Sequence, residues 1–358
     1  MKIFFLILGS FSVLLFLITL VIWLTTYHPS PISVARIACT QTAPLLTPGQ
    51  KIKLLSWNVQ YMAGKNYVFF YDLLDNSGPD DKPLPDDISR TLEEVSRVIR
   101  DVDPDIILLQ EVDDHARRTG YQDQGQQLLS LLHPEYSCFV SAYYWKALFV
   151  PHPRIMGQVG MKLMILSKYS MSTSFRHQLA YRPSNFISRQ LGIKRAALET
   201  RFPVKDAPDL VIFNTHLEAF TRETDIMNQQ VSQVDTLMSE RIKQGHPCII
   251  GGDFNLLPPG QAYFSLPLEQ RAYFREKTEI APLFEKYQAI PSLVEINGPQ
   301  SSKWFTHFPN DPAVDKPDRT IDYIFMSHNI TLGEHSIRQH DTLKISDHLP
   351  LIVEFELP

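Results

Sequence analysis

The chain has 358 residues, 44% hydrophobic and 20% charged, with a formal net charge of −5. That composition excludes an intrinsically disordered chain and supports one large domain or two ordinary ones. The acidic balance and the lack of a long basic run weigh against a protein that binds nucleic acid mainly by neutralising phosphates.

Ile3 to Leu24 carries no charged residue. Such a run is long enough for a hydrocarbon core of ~30 Å. It also exceeds the apolar region of a cleaved signal peptide, typically ~7–15 residues. Residues 1–24 are therefore expected to be an uncleaved membrane anchor, with the lipid bilayer as a partner. Lys2 is the only charge ahead of the span. By the positive-inside tendency the N-terminus stays cytoplasmic and the bulk of the chain lies on the outer side. Residues 25–50, with Pro29, Pro31, Pro44 and Pro48, read as a tether. Residues 51–358 form the expected domain.

Lys51 to Trp57 reads as a first core strand. Residues 75–87 are rich in Pro, Asp and Gly and read as a loop. Asp86 or Asp87 then caps a helix whose apolar positions are Ile88, Leu92, Val95, Ile99 and Val102. Pro104 ends it, and Ile106 to Leu109 is a buried strand running into Gln110-Glu111. Gln124 to Leu132 reads as another helix. The aromatic stretch from Tyr136 to Val150 is either strand and core or an exposed loop that meets substrate or lipid. Met161 to Ser167 and Arg195 to Phe202 read as strands, and Lys194-Arg195 as a solvated strand edge or a phosphate contact. Leu210 to Asn214 is an apolar run ending in Thr215-His216-Leu217-Glu218. A long helix with Met227, Val231, Val234, Met238 and Ile242 on one face follows, with Glu218 as its cap and Gly245 past its end. Ile249-Ile250-Gly251-Gly252-Asp253-Phe254-Asn255 is a short buried strand entering a glycine turn. A helix is expected around 268–288, and closing strands over Thr320 to Met326 and Leu349 to Phe355. The cysteines, Cys39, Cys138 and Cys248, are odd in number, far apart and without zinc spacing. No disulfide framework is expected from them.

Asn58, Glu111, His216, Asp253, Asn255, Asp322, Asp347 and His348 all stand at or beside the ends of apolar strands. Open α/β architectures place their sites at such ends. Each residue alone has a plainer reading: Asn58 a turn, Glu111 a solvated strand end, Asp322 an ion-pair partner, His216 a hydrogen-bonded core histidine. His177, His307, His328, His335 and His340 read as surface or structural.

Six motifs occur in order: Ser56-Trp57-Asn58, Gln110-Glu111, Asn214-Thr215-His216-Leu217, Gly251-Gly252-Asp253-Phe254-Asn255, Ile321-Asp322-Tyr323-Ile324-Phe325 and Ser346-Asp347-His348-Leu349-Pro350. Together they resemble the endonuclease/exonuclease/phosphatase superfamily over about residues 52–356. That superfamily includes pancreatic-type deoxyribonucleases, abasic-site endonucleases, neutral sphingomyelinases and inositol-polyphosphate 5-phosphatases. The resemblance implies an α/β (α+β) fold, a four-layer α/β/β/α sandwich of two mixed sheets flanked by helices. It implies a divalent-metal phosphohydrolase using Mg²⁺ or Mn²⁺. Glu111, with Asn58 beside it and Asp347 as a second carboxylate, matches the metal site. Asp253 matches the water-orienting carboxylate, Asn255 a phosphate-binding amide, His348 with Asp322 the active-site histidine and its partner, and His216 a second histidine.

The expected function is a membrane-anchored, metal-dependent phosphodiesterase or phosphomonoesterase acting on a phospholipid or small phosphorylated molecule. A nuclease of the same superfamily is the rival reading, and a non-catalytic membrane-tethered binding protein the alternative from another class. No obligate protein partner is expected.

Overall fold

The computed structural model describes residues 2–40, 42–182, 184–219 and 224–358. Met1 of the expected anchor and Gln41 of the expected tether fall outside them. The strands in chain order are β1 (Ile32–Val34), β2 (Ile37–Cys39), β3 (Lys51–Asn58), β4 (Ile106–Asp113), β5 (Cys138–Val150), β6 (Gly157–Ser167) and β7 (Thr173–Gln178). They continue as β8 (Ala196–Phe202), β9 (Leu210–His216), β10 (Cys248–Asp253), β11 (Gln288–Ile290), β12 (Asp322–Met326), β13 (Thr331–Ile337) and β14 (Leu351–Glu356). The main helices are α1 (Lys2–Thr25), α2 (Pro85–Val102), α3 (Gln124–Leu132), α4 (Phe186–Leu191) and α5 (Ile226–Lys243).

Two mixed seven-stranded sheets result, ordered β1-β7-β8-β9-β10-β12-β11 and β13-β14-β3-β4-β6-β5-β2. Alternation along each strand decides what faces what. Leu54, Leu108, Ile212, Ile249 and Ile324 belong to the core between the sheets. Their odd-numbered or even-numbered neighbours face outward. Val211, Phe213, Ile250 and Phe325 pack on Val231, Val234 and Met238 of α5, while Leu55, Trp57, Ile107 and Leu109 pack on Val95, Ile99 of α2 and Leu128 of α3. The expected four layers are thus present. Gly251 belongs to this packing: a Cβ there would meet Leu108 Cδ1 of the facing sheet at 2.8 Å. Its role is close approach of the two sheets rather than of a ligand.

Several expectations are corrected. Residues 25–50 are not a free tether. β1 pairs with β7 and β2 with β5, and Ala35, Ala43 and Leu46 are buried. Cys39 and Cys138 form a disulfide, because the β2–β5 register puts them directly opposite each other; sequence spacing carries no sign of that pairing. Cys248 is free and buried. Helix α2 starts at Pro85, so Asp86 and Asp87 lie in its first turn rather than at its cap, favourably placed against the helix dipole. The helix expected around 268–288 is broken into Leu268–Arg271 and Ala281–Lys286. Strand β7 and the edge strands β11 and β13 went unforeseen; β13 alternates between exposed and half-buried positions and so lacks an apolar signature.

Helix α1 is long and apolar enough to cross a membrane. Among its described residues only Thr19, Ile22 and Thr25 are half-buried, at three-residue spacing on one face.

Candidate active site

Two-residue periodicity brings the site together. In β3, β9, β10 and β12 the residues Asn58, His216, Asp253 and Asp322 share the inward parity of Leu54, Ile212, Ile249 and Ile324. All four therefore project past the core between the sheets at one common edge. Asp322 begins β12 rather than ending a strand. It still reaches that edge because β12 runs antiparallel to β10, pairing Asp322 with Asp253. His348 likewise precedes β14, antiparallel to β3. Glu111 has the wrong parity, since Ile106 and Leu108 are the inward residues of β4. A bulge between Leu109 and Val112 corrects this, and Glu111 takes the left-handed backbone, φ 58°. An L-residue adopts that conformation at a cost, which marks Glu111 as a re-aimed side chain.

Asp253 stands at the centre. Its Oδ2 lies 3.1 Å from Asn58 Nδ2, 3.3 Å from His216 Nε2 and 3.5 Å from His348 Nε2. Asn58 Nδ2 also donates to Glu111 Oε1 at 3.1 Å, and Asn58 Oδ1 accepts from the Gln60 N–H at 3.0 Å. That backbone donor fixes the amide's orientation. Asn58 therefore joins the two carboxylates through its amide nitrogen. Asn255 does not extend the strand. Its backbone turns left-handed, φ 53°, its N–H donates to Asp253 Oδ1 at 2.9 Å, and its side chain to the Leu217 carbonyl at 3.2 Å. Asp347 accepts from Ser346 Oγ at 3.3 Å and lies 3.9 Å from His307 Nε2.

The two expected histidines are electrostatically opposite. Burial opposes a charge on His348, but the Asp322 and Asp253 carboxylates outweigh it and raise its pKa well above the usual range. Its Nδ1 donates to Asp322 at 2.9 Å and its carbonyl accepts from Trp57 Nε1 at 2.9 Å. His216 is lowered, by burial first and then by Arg195 and His348. Its Nδ1 meets the Tyr144 hydroxyl at 3.3 Å. His348 thus holds a proton where His216 is neutral. Burial pushes Asp253 up to about 7, against the pull of His348 and with Asp322 adding to the rise.

Glu111, His216, Asp253, Asn255, Asp347 and His348 line a cavity of about 670 Å³ whose other walls the sequence did not disclose. His307, read as structural, belongs to it: its ring centroid lies 4.5 Å from that of His348, and a backbone bridge joins the two residues. Arg195 is no solvated edge. It is buried on the cavity wall, 3.5 Å from Glu218 Oε1, and its Nε and Nη1 have no hydrogen-bond partner. Glu218 consequently serves the cavity rather than the cap of α5, which starts after Asp225. The opposite wall carries Arg118, bidentate to Asp113 at 2.8 and 2.9 Å and 3.4 Å above the Tyr61 ring.

Comparison with known proteins fits this geometry. The family model described as "Endonuclease/Exonuclease/phosphatase family" matches residues 55–348. The chain belongs to the endonuclease/exonuclease/phosphatase family. As a member it is a hydrolase of phosphoric ester bonds. Solved structures share the fold. An endonuclease/exonuclease/phosphatase from Beutenbergia cavernae superposes with a TM-score of 0.57 at 16% identity, covering 86% of this chain and 72% of its own. The human Nocturnin catalytic domain with bound sulfate anion gives 0.54 at 20% identity, covering 90% and 98%. A Leptotrichia buccalis family protein gives 0.55 at 13%, covering 86% and 100%. No curated protein matches the chain.

Proposed function

We propose that this family member is a membrane-anchored, divalent-metal-dependent phosphohydrolase that cleaves a phosphodiester or phosphomonoester by attack of water. The observation that carries the reading is the convergence of Asn58, His216 and His348 on one oxygen of Asp253, within 3.1–3.5 Å. Such a set can hold and deprotonate a water, stabilise a phosphoryl oxygen and protonate a leaving oxygen.

The donor set fits a hard cation. Glu111 and Asp347 are oxygen donors in one cavity; burial raises Asp347, and Glu111 adds to the rise, a repulsion that a cation relieves. Glu111 and Asp347 would hold Mg²⁺ or Mn²⁺, which when bound neutralises phosphoryl charge. The remaining roles fall to the chain's own residues. Asp253 orients the water and takes its proton as oxygen attacks phosphorus. His348, held cationic by Asp322, donates to a phosphoryl oxygen. Neutral His216 keeps Asp253 in place, with its tautomer set by Tyr144. Arg195, with two unpartnered guanidinium nitrogens, and the Asn255 side chain on the cavity wall face the phosphate. The phosphorus–oxygen bond to the leaving group breaks, and the proton that His348 carries passes to that oxygen.

Helix α1 serves as the anchor, with the domain on the outer side. The Cys39–Cys138 disulfide supports that side, since disulfides persist in oxidising compartments. Protease added outside sealed cells should shave the domain from α1; full protection would reverse the topology. Catalysis is tested with a panel of phospholipids, nucleic acids and phosphomonoesters. EDTA-sensitive hydrolysis should appear and should be lost in His348→Ala. No hydrolysis across the panel would leave a binding protein on this fold.

A further inference from the structure

The end of α1 is built into the domain. Its apolar run, Ile3–Thr25, spans 23 residues, so it is about 34 Å long against a hydrocarbon core of ~30 Å. Thr25 therefore stands at the membrane surface. Trp23 and Tyr27 mark the same level, as aromatic residues do at interfaces. Thr26 already forms a backbone bridge with Ala147 of β5, and Tyr27 packs on Tyr143 at 6.3 Å. Helix α1 also packs against α4. No free linker separates span from domain, so β5 and α4 are held at the depth where the headgroups begin.

What these two elements expose at that depth is apolar. Leu148 and Phe149 follow Ala147 at the outer end of β5, and Phe186 and Ile187 begin α4; all four are exposed. The charge pattern matches. Of the basic residues between 136 and 198, Arg176, Lys194 and Arg195 are buried, but Arg182 and Arg189, on either side of Phe186 and Ile187, are exposed, and Lys146 is half-exposed beside Leu148. A basic, apolar-tipped surface fits anionic headgroups and the acyl boundary beneath them. The cavity opens from the same two segments: Trp145, Arg154, Ile155 and Met156 of the β5–β6 hairpin wall it on one side, with Arg182 and Ile193 flanking α4.

We propose that the domain lies face-down on the bilayer from which α1 emerges, with Leu148, Phe149, Phe186 and Ile187 inserted at the headgroup level, and that the cavity draws its substrate from that bilayer as a phosphate ester of a membrane lipid. The substrate half rests on the phosphohydrolase reading above; the docking half does not.

The test uses the full chain reconstituted in phosphatidylcholine–phosphatidylglycerol vesicles. Phe149→Cys is labelled with an environment-sensitive dye, selectively because Cys248 is buried. Brominated acyl chains should quench the label, and a label that remains in water overturns the docking. Leu148→Asp combined with Ile187→Asp should slow hydrolysis of vesicle phospholipid by at least about tenfold, through lost apolar insertion. Hydrolysis of soluble bis(p-nitrophenyl) phosphate should stay unchanged. Equal effects on both substrates, or none on the lipid, overturn the proposal. Cleavage of the soluble diester or of nucleic acid with no cleavage of any vesicle lipid overturns the substrate class and leaves the phosphohydrolase reading standing. A quenched label with no EDTA-sensitive cleavage of either substrate does the reverse: the docking stands and the catalytic reading falls.

Discussion

His348 Nδ1 donates to the Asp322 carboxylate at 2.9 Å, across 26 residues of sequence, and both side chains are buried. This pair fixes the histidine's ring and its charge together. Asp322→Asn keeps the size and removes the charge that holds the proton. It should lower kcat by about 10²-fold with little change in melting temperature, and should move the loss of activity at rising pH to lower pH. An unchanged pH–rate profile would mean that the His348 proton is not used.

Asp253→Asn separates water activation from metal binding. Turnover should fall by about 10²- to 10⁴-fold. Calorimetric affinity for Mg²⁺ or Mn²⁺ should survive, because the metal is assigned to Glu111 and Asp347. Glu111→Gln should instead weaken the metal. If Asp253→Asn also abolishes metal binding, the division of labour between the two carboxylates is wrong.

Glu111 pays for its aim with a left-handed backbone at φ 58°. Asn tolerates that region better than Glu. Glu111→Asn should therefore hold or raise stability, by up to about 1 kcal/mol, while activity is lost. Chemical denaturation beside an activity assay reads both, and a clear loss of stability would count against strain at this residue.

Glu199 gives a pH prediction away from the site. It is buried, which pushes its carboxyl up, yet His177 at 2.7 Å and Arg241 at 2.7 and 2.9 Å hold it down to about 2, below its ordinary 4.5. A depressed folded-state pKa adds stability that is full above the unfolded value and fades as pH falls through the folded one. Glu199→Gln should thus be destabilised relative to the parent at pH 7. The gap should narrow as pH falls from 4.5 towards 2, and a gap independent of pH would refute the linkage.

Much of the site was legible because apolar strands that stop at a polar residue of inward parity leave few places for that side chain to go. Asn58, His216 and Asp253 are of this kind. His307 was not legible: it lies in irregular chain, and only the bridge to His348 brings it in. Arg195 could be read either way until the third dimension buried it. The Gln60 N–H that turns the Asn58 amide is a backbone contact, which no side-chain pattern encodes. In the fold, the four layers were implied by the family resemblance that the six ordered motifs carry. The three-residue strands β1 and β2 did not, since they are too short to show a period and are held by partners over 90 residues away.

Those two short strands have a mechanical consequence. β1 is the edge of one sheet and β2 the edge of the other, so the chain leaving α1 is stitched to both halves of the sandwich in succession. A force transmitted along α1 is divided between two hydrogen-bonded edges and then crosses Cys39–Cys138 into β5. Peeling β1 from β7 leaves the chain clamped at the disulfide. With that bond reduced, the next edge is free to peel, and the domain changes from a stiff bracket on α1 to a bead on a string.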